Sequence, residues 1–69
     1  MFNLSTMIDW KNWLNKKVYI QVKSVFHAYT GTVIDVDDTH PPLVWITIID
    51  KNQKEVTFVH SEILMIKED

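Results

Sequence analysis

The chemistry available to this chain lies in three histidines, a set of carboxylates and seven lysines. His27, His40 and His60 are the only imidazoles, and cysteine is absent. Disulfides, thiolate nucleophiles and thiolate metal sites are therefore excluded. With Asp38 the histidines supply the right donor types for a metal ion. None of them, however, stands at the i, i+4 or short paired spacing of a dedicated site, and no metal or other cofactor is expected. His60-Ser61-Glu62 contains the residue types of a catalytic triad. Successive residues of a strand point to opposite faces, so these three cannot converge as base, nucleophile and orienter. The expectation is a protein that binds rather than catalyses.

What it binds is constrained by charge. The net charge is −2. Residues 1–34 hold Lys11, Lys16, Lys17 and Lys23 against Asp9 alone, whereas residues 35–69 hold three lysines against eight carboxylates. The first half is thus basic and the second acidic. Arginine, the side chain best suited to bidentate phosphate and guanine contacts, is absent. Any nucleic-acid contact must come from lysine, backbone, aromatic or small polar groups.

Sixty-nine residues make a single domain with one core. A chain of this size buries only about 60% of its unfolded surface and is helped by partner subunits. At 46% hydrophobic residues it is expected to fold. It shows neither a signal peptide nor an apolar run long enough to span a membrane, which suits a cytoplasmic location.

The elements follow from periodicity. Met7, Trp10, Trp13 and Leu14 recur at helical spacing and predict a helix over 6–15, with Thr6 and Asp9 at its start and Asn15 at its stop. Strands are predicted over 17–23, 28–37, 43–50, 55–60 and 63–67. A turn over 38–42 holds Pro41 and Pro42, which cannot donate to a ladder. A polar hairpin turn covers 51–54, and Ser61-Glu62 forms a short step before the last strand. The sole glycine, Gly31, lies inside the second strand. Glycine there packs nothing and costs backbone entropy, so it marks a sharp bend or a close backbone approach.

Two strands are apolar on both faces: Leu43-Val44-Trp45-Ile46 in the third and Ile63-Leu64-Met65-Ile66 in the fifth. One helix cannot cover all of that surface. A partner subunit meeting the fourth and fifth strands, through Phe58, Ile63, Leu64, Met65 and Ile66, is the expected cover.

A short helix followed by five strands, the second bent at a glycine, resembles the Sm/LSm fold, a strongly bent antiparallel SH3-like barrel. The first Sm motif has an aromatic or apolar residue, any residue, glycine, and an aspartate six positions on. Tyr29-Thr30-Gly31 and Asp37 match it, with Val33 at its apolar position. The run Lys17-Val18-Tyr19-Ile20-Gln21-Val22-Lys23 looks like the family's first strand. Phe58-Val59-His60 is similar to the Tyr-Lys-His step of the Hfq branch. Pro41 stands where the family has its RNA-contacting asparagine, and His60-Ser61 replaces its Arg-Gly pair, so the match is that of a divergent member, of a kind also found among phage proteins.

The resemblance implies a homo-oligomeric ring of about five to seven subunits that binds single-stranded nucleic acid, RNA in particular, in RNA processing or regulation. Asp37, Thr39 and His40 would lie on one loop of the inner rim, and His60 and Ser61 on the other. There His40 would stack on a base and Asp37 would orient the loop or accept from a base edge. Repeated copies of Lys16 and Lys17 would sum to a phosphate-attracting face. Two alternatives stay open. One is an ordinary acidic turn at Asp37 and His40, with Asp37 capping backbone amides. The other is an SH3-like protein–protein interaction module that touches no nucleic acid.

Overall fold

Val18, Ile20 and Val22 alternate with Lys17, Tyr19 and Gln21 along the first strand, β1 (Lys17–Val22). Period two sends the aliphatic set to one side. In the computed structural model of the chain, which describes residues 10–23 and 27–69, Val18 and Ile20 are fully buried and Val22 nearly so. Four further strands follow: β2 (Ala28–His40), β3 (Leu43–Ile49), β4 (Glu55–Val59) and β5 (Ile63–Glu68). All neighbours are antiparallel and form one sheet of order β4-β3-β2-β1-β5. The core is Trp10, Val18, Ile20, Val22, Val33, Val36, Ile46, Ile48 and Phe58.

The long strand β2 organises the sheet. Its first part, Ala28 to Thr32, pairs with β1, and from Thr32 to His40 it pairs with β3. Gly31 lies at this changeover and is buried. A Cβ built there would sit 2.5 Å from the Ile49 carbonyl oxygen and 3.0 Å from its carbon. The backbone of β3 comes so close that only glycine fits, which is the close approach expected from the sequence. Its φ is not positive, so space rather than dihedral freedom selects glycine.

A register shift between Val33 and Asp35 marks a bulge two residues on. It resets the inward face, so that Val33 and Val36 are both buried although three apart, and Ile34 is left 41% exposed.

Several expectations need correction. Among the described residues there is no α-helix at the N-terminal end. Trp10–Trp13 is one turn of 3₁₀ helix, and residues 6–9 of the expected helix lie outside the described residues. The bond from the Leu14 amide to the Lys11 carbonyl (3.1 Å) is of the three-residue kind, and Asn15, at φ 69°, then turns the chain into β1. Asn15 is the expected stop, but Leu14 faces outward at 41% exposure. Strand β2 runs on to His40, leaving only Pro41 and Pro42, joined by a cis peptide bond, in the turn.

The sheet also does not close into a barrel. Strands β4 and β5 are joined by a short 3₁₀ helix, His60–Glu62, yet stand at opposite ends of the strand order and do not pair. The Lys23 amide donates to the Glu62 carbonyl (2.9 Å), drawing the start of β5 onto the end of β1 and away from β4.

Candidate functional site

Of the residues expected to bind, Asp37, Thr39, His40 and His60 lie at one end of β3. His40 pairs with Leu43 across the β2–β3 turn, and the next residue, Val44, donates its amide proton to His60 Nδ1 (3.0 Å). The segment Asp37–His40 and the His60–Glu62 helix are thus fastened to consecutive residues of one strand. His60 also packs at a tilt against Trp10, with ring centroids 6.1 Å apart. Trp10 is buried, and its Nε1 has no acceptor among the described residues. Ser61 is exposed beside His60.

Hydrogen-bond directions fix the histidine tautomers. Asp37 Oδ1 accepts from the Thr39 amide (3.0 Å) and from the Thr39 hydroxyl (2.6 Å). These bonds, the hydroxyl's first, hold the Asp37 carboxyl below the ordinary aspartate value of 3.8. An ionised carboxylate can only accept, so the Thr39 hydroxyl is the donor. Thr39 Oγ1 must then accept from His40 Nδ1 (3.0 Å), and neutral His40 presents Nε2 as a bare acceptor. His60 is the opposite case. Its Nδ1 accepts from Val44, so the ring proton sits on Nε2, which presents a donor. Neither Nε2 has a protein partner among the described residues. Asp37 caps a local Asx turn within the end of β2, at the register shift between Asp37 and His40, so it takes the capping role left open by the sequence but inside the strand and not in the expected 38–42 turn.

The outer face of the sheet beside this turn is a shallow groove of about 540 Å³ lined by Asp35, Asp37, His40, Leu43, Trp45, Thr47 and Thr57. Trp45 and Leu43 are each 39% exposed. The Thr47 and Thr57 hydroxyls bond to one another (2.8 Å) across β3 and β4. Sequence reasoning left the face of Trp45 undecided. The signal that could have placed it is alternation along β3, which groups Trp45 with Leu43 and Thr47 and sets it apart from Val44 and Ile46.

The lysines lie elsewhere. Lys16 reaches Glu68 Oε1 (3.4 Å) and stands 5.8 Å from the Trp13 ring centroid. Lys17 is exposed at the start of β1 and borders a second cavity of about 310 Å³ with His27, Tyr29 and Asp50. Lys11 reaches Asp38 Oδ1 (3.4 Å). Of the residues expected at a subunit interface, Phe58 is buried in the core, edge-on to Tyr29 with centroids 5.0 Å apart. Ile63 and Ile66 are half-buried against the same core, Met65 is half-buried, and Leu64 stands 60% exposed on β5. His27 continues the aromatic row by meeting Tyr29 edge-on at 4.7 Å, a contact that sequence reasoning missed.

Among the described residues, no group of three or more histidine or acidic side chains is placed to hold a metal ion, and no helix is long and apolar enough to cross a membrane. Comparison of the chain with protein-family models, with curated proteins and with solved structures gives no match in any of the three.

Proposed function

We propose that this protein binds single-stranded nucleic acid, RNA in particular, without catalysis, as a homo-oligomeric ring of Sm-like subunits. The observation that carries this reading is the fastening of the β2–β3 turn and the His60–Glu62 helix to Leu43 and Val44. It puts two histidines at one end of the sheet, His40 on the outer groove and His60 beside Trp10, one Nε2 an acceptor and the other a donor, neither with a partner among the described residues. Base edges present both kinds of group, and imidazoles also stack on bases. Assembly is supported by the edges. Among the described residues, strands β4 and β5 each leave one side of their backbone unpaired, and Leu64 adds exposed apolar surface on β5. Unlike edges at opposite ends of one sheet can join head to tail, and such an interface closes into a ring when the rotation allows.

The test is native mass by light scattering combined with fluorescence anisotropy on short oligo(U) and oligo(A). The wild type is expected to be oligomeric and to bind. His40→Ala is expected to weaken binding by about 1–3 kcal/mol for each base the ring stacks on, at unchanged mass. Changing Lys16 and Lys17 to glutamine is expected to weaken both oligomers alike and to flatten the salt dependence. Leu64→Lys with Ile66→Lys is expected to give monomer or unfolded protein, because the new charges would be uncompensated in an apolar contact and Ile66 also packs against the core. A monomeric wild type that binds neither oligomer at low salt refutes the reading.

A further inference from the structure

We infer that the outer groove of β2, β3 and β4 takes up the cationic side chain of a lysine- or arginine-bearing protein segment, laid across the Trp45 indole between the carboxylates of Asp35 and Asp37. This rests on the groove itself and not on the nucleic-acid reading.

The register builds the site. Asp37 is the cross-strand partner of Trp45, and Asp35 that of Thr47. Directly opposed side chains on one face have their Cβ atoms about 4.5–5.5 Å apart. Asp35 and Asp37 are two residues apart on one strand and both line the groove, so they stand roughly 7 Å from one another along it. An ammonium or guanidinium fits between two carboxylates at that spacing. The groove floor is apolar at Trp45 and Leu43 and receives the aliphatic stem of such a side chain, while the ring face of Trp45 attracts its charge.

Charge complementarity selects this occupant. No lysine among the described residues lines the groove; Lys11 pairs with Asp38 and reaches Asp37 through its field, and Lys16 pairs with Glu68. A nucleic-acid strand continued past His40 along Asp35 and Asp37 would bring its phosphates against two aspartates. A purely apolar segment would bury those carboxylates without a partner. A basic segment does neither, and the extended, half-apolar face of three strands suits a chain lying along it.

The test follows the Trp45 indole N–H resonance of the full chain by NMR during titration with a Gly-Arg repeat peptide, a Gly-Glu repeat peptide of equal length, and oligo(U). The Gly-Arg peptide is expected to shift the Trp45 resonance saturably, and added salt to weaken it. Trp45→Ala, followed by anisotropy of labelled peptide, is expected to reduce affinity about 2- to 30-fold. The Asp35 side chain makes no hydrogen bond or ion pair among the described residues, so Asp35→Asn tests the charge with the fold kept, as circular dichroism would verify; it too is expected to weaken binding. The inference is overturned if the Gly-Arg peptide leaves Trp45 unmoved at low salt. It is equally overturned if the Gly-Glu peptide binds as well, if Asp35→Asn leaves the affinity unchanged, or if oligo(U) alone moves the resonance.

Discussion

Replacing Gly31 by alanine adds one carbon at a crowded backbone position of the sheet. That carbon would lie 2.5 Å from the Ile49 carbonyl oxygen, 3.0 Å from the Ile49 carbonyl carbon and 3.3 Å from Ile48 Cδ1. The isoleucine methyl can rotate away. The Ile49 carbonyl cannot, because Ile49 sits in the ladder opposite Thr32 on one side and Glu55 on the other. Moving it by most of an ångström disturbs both pairings. Overpacking of this kind costs about 1–3 kcal/mol, or more where backbone must move. Against it stands a gain of about 0.4–1 kcal/mol from stiffening the unfolded chain. The net loss is about 1–2 kcal/mol for alanine. It is larger for valine, whose two γ carbons enter the same space. For a domain of this length each kcal/mol lowers the melting temperature by about 4–8 °C. Gly31→Ala should therefore melt about 5–15 °C below the wild type by circular dichroism, with Gly31→Val lower still or unfolded. An alanine variant that melts at or above the wild-type temperature would show that β3 does not crowd β2 at this point.

Other predictions follow from single contacts. Asp37 holds the end of β2 through Thr39, and its acidity is raised by those bonds. A carboxyl with a depressed folded pKa contributes stability above its ordinary pKa and loses it as pH falls through the lower folded value. The protection factor at Thr39, corrected for the intrinsic exchange rate at each pH, should thus be retained at neutral pH and lost only as pH falls below the ordinary aspartate value, while Asp37→Ala should remove that protection at every pH. His60→Ala leaves the Val44 amide without its acceptor, and a loss of about 1–3 kcal/mol in urea unfolding is expected; a loss below about 0.5 kcal/mol would argue that water replaces the ring. Ile20, fully buried in β1, should cost about 2–5 kcal/mol as alanine, and unchanged stability there would contradict the core.

Strand type and count were legible because they rest on short-range physics. Alternation in β1 sends Val18, Ile20 and Val22 to one side whatever the rest of the chain does, and the paired prolines stop pairing wherever they fall. Gly31 was legible for the same reason: a residue that weakens a regular strand stands there because nothing larger fits.

The faces beyond that glycine were not legible. Simple alternation groups Ile34 with Val36, whereas the bulge after Val33 exposes Ile34 and buries Val33 and Val36 together. A bulge answers to the partner strand, and no local pattern in β2 announces it. The N-terminal stripe failed similarly. Its spacing suits an α-helix, but a 3₁₀ turn delivers Trp10 to the core, and the left-handed Asn15 starts β1. The candidate site divides along the same line. That Asp37 could cap its own turn is a property of aspartate two residues before a threonine amide. That His60 accepts from Val44, sixteen residues away, and that Asp35, Asp37 and Trp45 share one groove, are consequences of strand register. Register is set by cross-strand packing over the whole sheet, so these juxtapositions exist only once the chain has folded.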